Sequence, residues 1–375
     1  MAQETLRAVT VQRRATPLPK TVSHRSLAGY ASGLLTAAEA FPREQLTPRI
    51  LNLPLLDLTV WFANAGFAEF CSRRLMHRPV TEQASEQAST QATVFAMDAT
   101  RGVWPAPLRW HEGDGFASRD FERILADSGL RGFYEHAAPS WQIFDPARRL
   151  GVQSLIHPQG FPRWETGSPL RLFLHWAYAA ANCRMTHAAA LGTNGRGALL
   201  IGPSGAGKSA TALAGLMNGL QCAGDDYVLL EAKAEMTAHA IFPLVKQDRE
   251  GLTRSGVTHP AAAAATPNWH GKIEIDPLAI GLPALTPRMT IGALLIPVIA
   301  HTERTRFQPA SARDAALALA PSAVFQLPGD TNEGFTFFSA IVKRLPAYRM
   351  ALSQQPAEIA SAIGSFLADG RNLAG

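Results

Sequence analysis

The feature that most constrains this chain of 375 residues is a glycine-rich octapeptide, Gly-Pro-Ser-Gly-Ala-Gly-Lys-Ser, at residues 202–209. It fits the pattern G-x-x-x-x-G-K-[ST], in which glycines let the backbone turn its N–H groups towards phosphate oxygens. The apolar residues 198–201 predict a buried strand before it, and residues 209–217 predict a helix after it. The start of a helix adds positive dipole charge to such a loop. Strand, loop and helix together predict a site for the phosphates of a nucleoside triphosphate, against the alternative of a glycine-rich turn with a chance lysine.

Each part of the octapeptide has an expected task. Lys208 is expected to reach the β- and γ-phosphates, and the Ser209 hydroxyl is expected to hold Mg²⁺. The predicted cofactors are therefore ATP and Mg²⁺. The predicted nucleotide-binding residues are Gly202, Pro203, Ser204, Gly205, Ala206, Gly207, Lys208, Ser209 and Ala210.

An acidic pair, Asp225 and Asp226, follows the predicted helix at the start of the next predicted strand, residues 227–231. In an open α/β sheet, the helix after a phosphate loop returns the chain to a neighbouring strand, so the pair is expected near the loop. Neighbouring strand residues point to opposite faces, which predicts two different tasks. One carboxylate can hold the metal or its water, and the other can take the proton of an attacking hydroxyl. The alternative is an Asp pair that only caps a turn.

A histidine, His187, precedes the octapeptide in a short predicted strand, Thr-His-Ala-Ala-Ala-Leu at residues 186–191. A hairpin turn at residues 192–197 is predicted to lead from it into the strand before the loop. A lone histidine on an apolar strand fits a hydrogen-bonded core residue as well as it fits a catalytic one. The residues alone leave this choice open.

Composition excludes several classes of protein. Apolar residues make up 47% of the chain, which describes a globular protein with a large core. The net charge of +5 comes from scattered lysines and arginines, which argues against nucleic-acid binding. Three cysteines in no pattern argue against a disulfide framework and a zinc site: Cys71, Cys183 and Cys222. The longest apolar windows are too short to span a bilayer, so a soluble, cytoplasmic protein without a membrane partner is expected.

The chain divides into three parts by composition. Residues 1–25, with scattered basic residues and two prolines, predict a disordered arm. Residues 26–165 predict an α+β accessory or substrate domain that contains a low-complexity repeat at 82–93, and residues 166–375 predict the catalytic domain. Residues 232–290 are expected to be rich in loops and to contain a mobile lid.

The combination of His187, the octapeptide and the Asp225–Asp226 pair resembles the catalytic domain of HPr serine kinase/phosphorylase, which shares its core with phosphoenolpyruvate carboxykinase. The resemblance implies an α/β fold with a P-loop core. It implies Asp225 as the general base towards a serine, Asp226 and Ser209 as the Mg²⁺ ligands, and His187 as an electrostatic support of the base. The downstream glycine-rich signature of that family has no counterpart here, and residues 1–165 do not resemble its regulatory domain.

Further stretches resemble the HPr-kinase-like group encoded with ribosomally made peptides, which includes the lasso peptide kinases. They are Gly-Ser-Pro-Leu-Arg at 167–171, Leu-His-Trp at 174–176, residues 187–230, residues 316–329 and Arg-Leu-Pro-Ala-Tyr at 344–348. The resemblance implies an ATP-dependent serine kinase whose acceptor is a peptide or a small protein, in lasso cases the precursor peptide.

The transfer reaction also needs a cation at the γ-phosphate, where negative charge develops. The basic residues of the expected lid are Lys246, Arg249, Arg254 and Lys272, and Lys272 is the weakly favoured candidate. Each of them fits a solvated surface charge equally well. The alternatives to a serine kinase are a small-molecule kinase or a nucleotide-dependent switch ATPase on the same core. The oligomeric state and any dephosphorylation are left open.

Overall fold

The computed structural model describes residues 24–78, 90–99, 104, 120–135, 140–156, 165–179, 181–268, 270–323, 327–328, 331–370 and 373. The described part is a mixed α/β fold with two large mixed sheets, which confirms the predicted α/β class. Most of the predicted arm and of the low-complexity repeat lies outside the described residues. The last residues of the repeat, at 90–93, are part of a strand instead of a linker.

The first sheet has six strands in the order β1-β2-β3-β6-β5-β4. They are β1 Thr47–Leu53, β2 Leu56–Phe62, β3 Thr90–Asp98, β4 Arg131–Glu135, β5 Ser140–Asp145 and β6 Leu150–Leu155. Strand β3 runs parallel to both of its neighbours, and the other pairs are antiparallel. The accompanying helices are α1 His24–Ala40, α2 Ala65–Ser72 and α3 Asp120–Ala126. Both faces of this sheet carry buried apolar side chains, so helices must cover both.

The second sheet has nine strands, seven of them in the order β10-β8-β9-β15-β12-β11-β7. Of the other two strands, β17 pairs with β15, and β16 pairs with β17. The strands are β7 Cys183–Thr186, β8 Ala189–Thr193, β9 Arg196–Leu200, β10 Gln221–Cys222, β11 Val228–Ala232, β12 Met236–Ala240, β15 Arg288–Thr302, β16 Arg306–Ala310 and β17 Ala347–Ser353. Strand β15 lies between β9 and β17, and all three run parallel. A small separate hairpin is formed by β13 Val245–Asp248 and β14 Lys272–Ile275.

The helices of this second part pack against the sheet and the hairpin. They are α4 Arg171–Ala179, α5 Lys208–Met217, α6 Arg249–Arg254, α7 Pro260–Ala264, α8 Ala312–Ala323, α9 Thr331–Arg344 and α10 Pro356–Ala368. Helix α4 is buried on nearly every side, as its continuous apolar sequence predicts. One core cluster contains α4 together with residues of both large sheets, so this helix packs between the two sheets. The predicted division into domains is not tested by this arrangement and stays a prediction.

One prediction about local structure is wrong and another is incomplete. Besides loops, residues 232–290 contain the strands β12, β13 and β14, the helices α6 and α7, a 3-10 helix at Pro277–Ile280 and the first residues of β15. Strand β14 forms because residues 272–275 alternate between charged and apolar side chains and pair with β13. The lid stays a prediction. The predicted single strand at residues 186–191 is two strands, β7 and β8, with His187 and Ala188 between them. The predicted strands at 198–201 and 227–231 and the predicted helix at 209–217 are confirmed to within a few residues.

Within the described residues, none of the helices is both long enough and apolar enough to span a bilayer. All three cysteines are buried and free.

Candidate functional site

The site lies where the two ends of the second sheet come together. Strand β7 ends the strand order and β8 is second from the opposite end, but only His187 and Ala188 separate them along the chain. The sheet must therefore curve until its two ends are near each other. Strand β10, at one end, and β11, second from the other end, are joined by residues 223–227, which cross the same gap. The histidine and the acidic pair meet because both lie on these short crossings.

The glycine loop, residues 202–207, joins β9 to α5. Three of its glycines have positive φ angles: Gly202 at 152°, Gly205 at 83° and Gly207 at 99°. A side chain is strained at such angles, so the path of this loop requires glycine. Helix α5 begins after Gly207 without a side-chain cap, which leaves its first N–H groups available to an anion. This geometry agrees with the phosphate-binding expectation for residues 202–209.

The Lys208 side chain is buried and folds back over the loop. Its Nζ donates hydrogen bonds to the carbonyl oxygens of Gly202, at 2.7 Å, and Pro203, at 3.1 Å. Burial lowers the pKa of Lys208 to about 8, while the nearby carboxylate of Asp225 acts in the opposite direction. Its ammonium is thus held at the loop with carbonyl partners that an anion can replace.

Asp225 is almost completely buried beside the start of α5. Its Oδ2 accepts a hydrogen bond of 2.9 Å from the backbone N–H of Lys246. Its Oδ1 is buried and has no hydrogen-bond partner among the residues that the structure describes. Burial raises the pKa of this carboxyl, and the Lys246 N–H, the Ser209 hydroxyl and Lys272 oppose that rise. A carboxylate with a raised pKa and an unused oxygen is suited to accept a proton or to bind a metal-held water.

Asp226, next along the chain, has a different environment. Its Oδ1 lies 3.3 Å from Nε2 of His187, and its Oδ2 lies 2.7 Å from Nζ of Lys246. Burial by itself would raise the pKa of Asp226, but Lys246 and His187 outweigh it and hold the pKa well below its usual range. The backbone at Asp226 has a φ of 72°, so a left-handed turn separates the two carboxylates rather than the pleat of a strand. The expectation of two different environments stands, for this different reason.

Lys246, one of the candidate cations of the expected lid, belongs to the site as the partner of Asp226, a role that the sequence did not predict. It is buried, whereas the sequence offered a solvated charge in a lid as its simplest interpretation. Its Nζ lies 3.8 Å from Oε1 of Glu274 in addition to the contact with Asp226. Glu274 also accepts hydrogen bonds from Thr166, at 3.1 Å, and Asn268, at 2.9 Å. The alternation of charged and apolar residues at 272–275 was the available signal that this segment is a half-buried strand.

Lys272, on the partner strand of the same hairpin, is close enough to lower the pKa values of both Lys208 and Asp225. It is half-buried, and its ammonium forms no hydrogen bond or ion pair with the residues that the structure describes. The hairpin therefore brings one engaged cation, Lys246, and one unengaged cation, Lys272, to the site. Arg249 and Arg254 have other partners: Arg249 binds carbonyl groups of residues 262–265, and Arg254 pairs with Glu250.

Two further side chains, Tyr227 and Arg171, connect His187 to helix α4. The ring of Tyr227 stands 5.7 Å from the His187 ring, centroid to centroid. Nη1 of Arg171 donates a hydrogen bond of 3.2 Å to the hydroxyl of Tyr227. Arg171 begins helix α4, so this layer connects the site to the helix that packs against the first sheet.

The residues present fit a magnesium ion held in the usual manner of phosphate sites. Mg²⁺ is commonly bound by one or two protein oxygens, phosphate oxygens and water. Ser209 stands at the first turn of α5, and the unpartnered Oδ1 of Asp225 is its acidic neighbour. The predicted ligand Asp226 would have to exchange Lys246 or His187 for the ion. No group of three or more His, Cys, Asp or Glu side chains suited to a metal occurs within the described part.

The comparisons with known proteins identify no family for this chain. No family model matches the chain, and no curated protein matches it. Among solved structures, the HPr(Ser) kinase/phosphatase from Coxiella burnetii is similar to 50% of this chain over 90% of its own length. The two are 13% identical, with a TM-score of 0.27. This likeness is too distant to carry an argument, so the case for a function rests on the site itself.

Proposed function

We propose that this protein is an ATP-dependent phosphotransferase that moves the γ-phosphate to a hydroxyl group, with the serine of a peptide or small protein as the acceptor. The observation that carries the proposal is the joint placement of the glycine loop, Lys208 and the unpartnered carboxylate oxygen of Asp225. In a nucleotide switch such a carboxylate would serve Mg²⁺ alone, whereas the raised pKa of Asp225 favours a proton acceptor. The serine as acceptor is supported by the sequence motifs alone.

The proposed reaction is an in-line displacement at the γ-phosphorus. The acceptor hydroxyl oxygen forms the new bond to phosphorus, the bond to the β–γ bridging oxygen breaks, and ADP leaves. The proton of the hydroxyl passes to Oδ1 of Asp225. The raised pKa of Asp225 supports this role, because a base works best when its pKa approaches the working pH.

Charge on the phosphates is compensated by three groups of this chain. The N–H groups at the start of α5 and the ammonium of Lys208 are proposed to bind the β- and γ-phosphates. Ser209 is proposed to hold Mg²⁺, which would neutralise charge between those phosphates when bound. Lys272 is proposed as the cation that meets the γ-phosphate, since its ammonium is not engaged elsewhere among the described residues.

Asp226 and His187 are proposed to act on the site without taking the proton. Both oxygens of Asp226 are engaged and its pKa is low, so it is a poor base and a permanent negative charge. It fixes Lys246, whose backbone N–H in turn fixes Asp225. His187 therefore supports Asp226, and its influence on the base Asp225 passes through Asp226 and Lys246.

The direct test is incubation of the full chain with ATP labelled at the γ-phosphate, Mg²⁺ and serine-containing peptides. Label on the peptide supports the proposal, and its loss in Asp225→Asn with ATP binding retained supports the assigned base. Label released only as inorganic phosphate would favour a switch ATPase. Label on a small alcohol but not on peptides would favour a small-molecule kinase.

A further inference from the structure

An apolar surface centred on Ile299, here named the apolar step, lies near the carboxyl end of β15, beside the glycine loop. Val298 and Ile299 are 39% and 55% exposed, although the rest of this strand is buried from Ile291 to Ile296. A Cβ placed on Gly207 would lie 3.9 Å from Cγ1 of Ile299 and 4.0 Å from Cβ of Pro297. The same point would lie 3.0 Å from Cδ1 of Leu352, at the end of β17. Of these three neighbours of the last loop glycine, Ile299 is exposed to solvent, whereas Pro297 and Leu352 are buried.

The register of the sheet explains this contact. The pairing of β15 with β9 ends at Leu295 and Leu200, after which β9 becomes the loop. Strand β15 continues alongside β17, with Pro297 and Ile299 opposite Met350 and Leu352. The three parallel strands thus end at one edge, with the loop after β9 and the apolar step on β15 and β17. Ligands of open α/β sheets bind at this edge.

We propose that the exposed side chain of Ile299, with the buried Pro297 and Leu352 beside it, binds the nucleoside half of the nucleotide. This inference rests on the proposed function, because the phosphates must lie in the glycine loop for the base to reach the step. A nucleobase has flat, weakly polar faces, and contact with aliphatic side chains removes water from both surfaces. Continuity with the loop favours a nucleoside over a partner protein, because Ile299 is the one exposed side chain among the described apolar neighbours of Gly207.

The step offers the faces of aliphatic groups, and the face of every base can make such contacts. It is therefore expected to add affinity for a nucleoside without distinguishing ATP from GTP. Inorganic tripolyphosphate, which carries the phosphates but no base or ribose, is expected to bind the loop and to ignore the step.

The test measures dissociation constants of the full chain for Mg²⁺–ATP, Mg²⁺–GTP and Mg²⁺–tripolyphosphate by calorimetry. Ile299→Ser should weaken binding of both nucleotides about fivefold, by removal of a partly buried aliphatic group, and should leave tripolyphosphate binding unchanged. Ile299→Val should bind all three as the wild type does. The matched control is Ile50→Ser, since Ile50 is 68% exposed on β1 of the other sheet and should affect none of them.

Loss restricted to the two nucleotides supports the step as a nucleoside site. Unchanged nucleotide binding in Ile299→Ser overturns it, and so does an equal loss for tripolyphosphate, which would place the effect in the loop. Wild-type protein that binds neither nucleotide nor tripolyphosphate would instead refute the proposed function, and the nucleoside site with it.

Discussion

His187 pairs with Asp226 and not with Asp225: its Nε2 lies 3.3 Å from Oδ1 of Asp226. The two neighbouring carboxylates are thereby given different chemical characters. Both oxygens of Asp226 have partners, Lys246 and His187, whereas one oxygen of Asp225 has none among the described residues. The division of labour between them follows from these contacts, and each part of it can be tested.

The pH dependence of transfer should report the raised pKa of Asp225. The base must be unprotonated to act, so kcat/KM should fall as the pH drops through its folded pKa, at a pH above the ordinary range for aspartate. Asp225→Asn should lower kcat by about 100-fold or more and leave ATP binding nearly unchanged. If this variant instead recovers full kcat at high Mg²⁺ concentration, Asp225 serves the metal and its assignment as base is wrong.

Lys246 should be essential for stability. Replacing it with methionine leaves the buried carboxylate of Asp226 without its ammonium partner, which should lower the free energy of unfolding by about 3 kcal/mol. Urea denaturation of Lys246→Met at neutral pH measures this loss. The loss of unfolding free energy in Lys246→Met should become smaller at strongly acidic pH, where protonation of Asp226 removes the uncompensated charge. A variant as stable as the wild type would mean that the ion pair contributes nothing.

Lys272 should be essential for catalysis and dispensable for stability. Its ammonium contacts no described partner, so Lys272→Met should change the free energy of unfolding by less than about 0.5 kcal/mol. Transfer should nevertheless fall by about 100-fold, because charge at the γ-phosphate would go uncompensated in the transition state. Comparison with Lys246→Met, on the same hairpin, separates the two roles. Normal turnover in Lys272→Met would exclude it as the γ-phosphate cation.

Binding of polyphosphate should be coupled to protonation of Lys208. The pKa of Lys208 is lowered to about 8 in the free protein, and an anion bound beside the ammonium favours its charged form. Above pH 8 the free protein has lost this proton, so binding should take up a proton and affinity should fall as the pH rises. Calorimetry of tripolyphosphate binding in buffers of different ionisation enthalpy measures the uptake. Lys208→Arg, which stays charged, should show none; equal uptake in both proteins would assign the proton elsewhere.

Gly167 should tolerate no side chain. A Cβ there would lie 2.7 Å from both Cδ of Glu274 and Cε of Lys246. Gly167→Ala should cost about 1–3 kcal/mol of stability through overpacking and should reduce transfer by displacing Lys246. The control is Gly29→Ala, an exposed helical position with nothing within 4 Å, where the substitution should be neutral or stabilising. A Gly167→Ala protein with wild-type stability and activity would show that the contact yields freely.

The sequence predicts what depends on local pattern. The strand, the glycine loop and α5 follow from one another within 22 residues at 196–217, so their order and limits were predictable. The surroundings of Lys246 were not predictable, because its partner Asp226 lies on a different element and residues 246–250 are all polar. The split of the predicted strand at His187 depends on the curvature of the whole sheet, which no local window contains. Contacts between strands that are distant in the sequence therefore determine that His187 lies beside Asp226.

The most direct test of the account is the fate of the γ-phosphate of ATP in the wild type and in Asp225→Asn, followed by mass spectrometry of a serine-containing peptide. The account predicts a phosphorylated peptide with the wild type, and an unmodified peptide with the variant although it still binds ATP. Inorganic phosphate released at equal rates by both proteins, with the peptide unmodified, would contradict it.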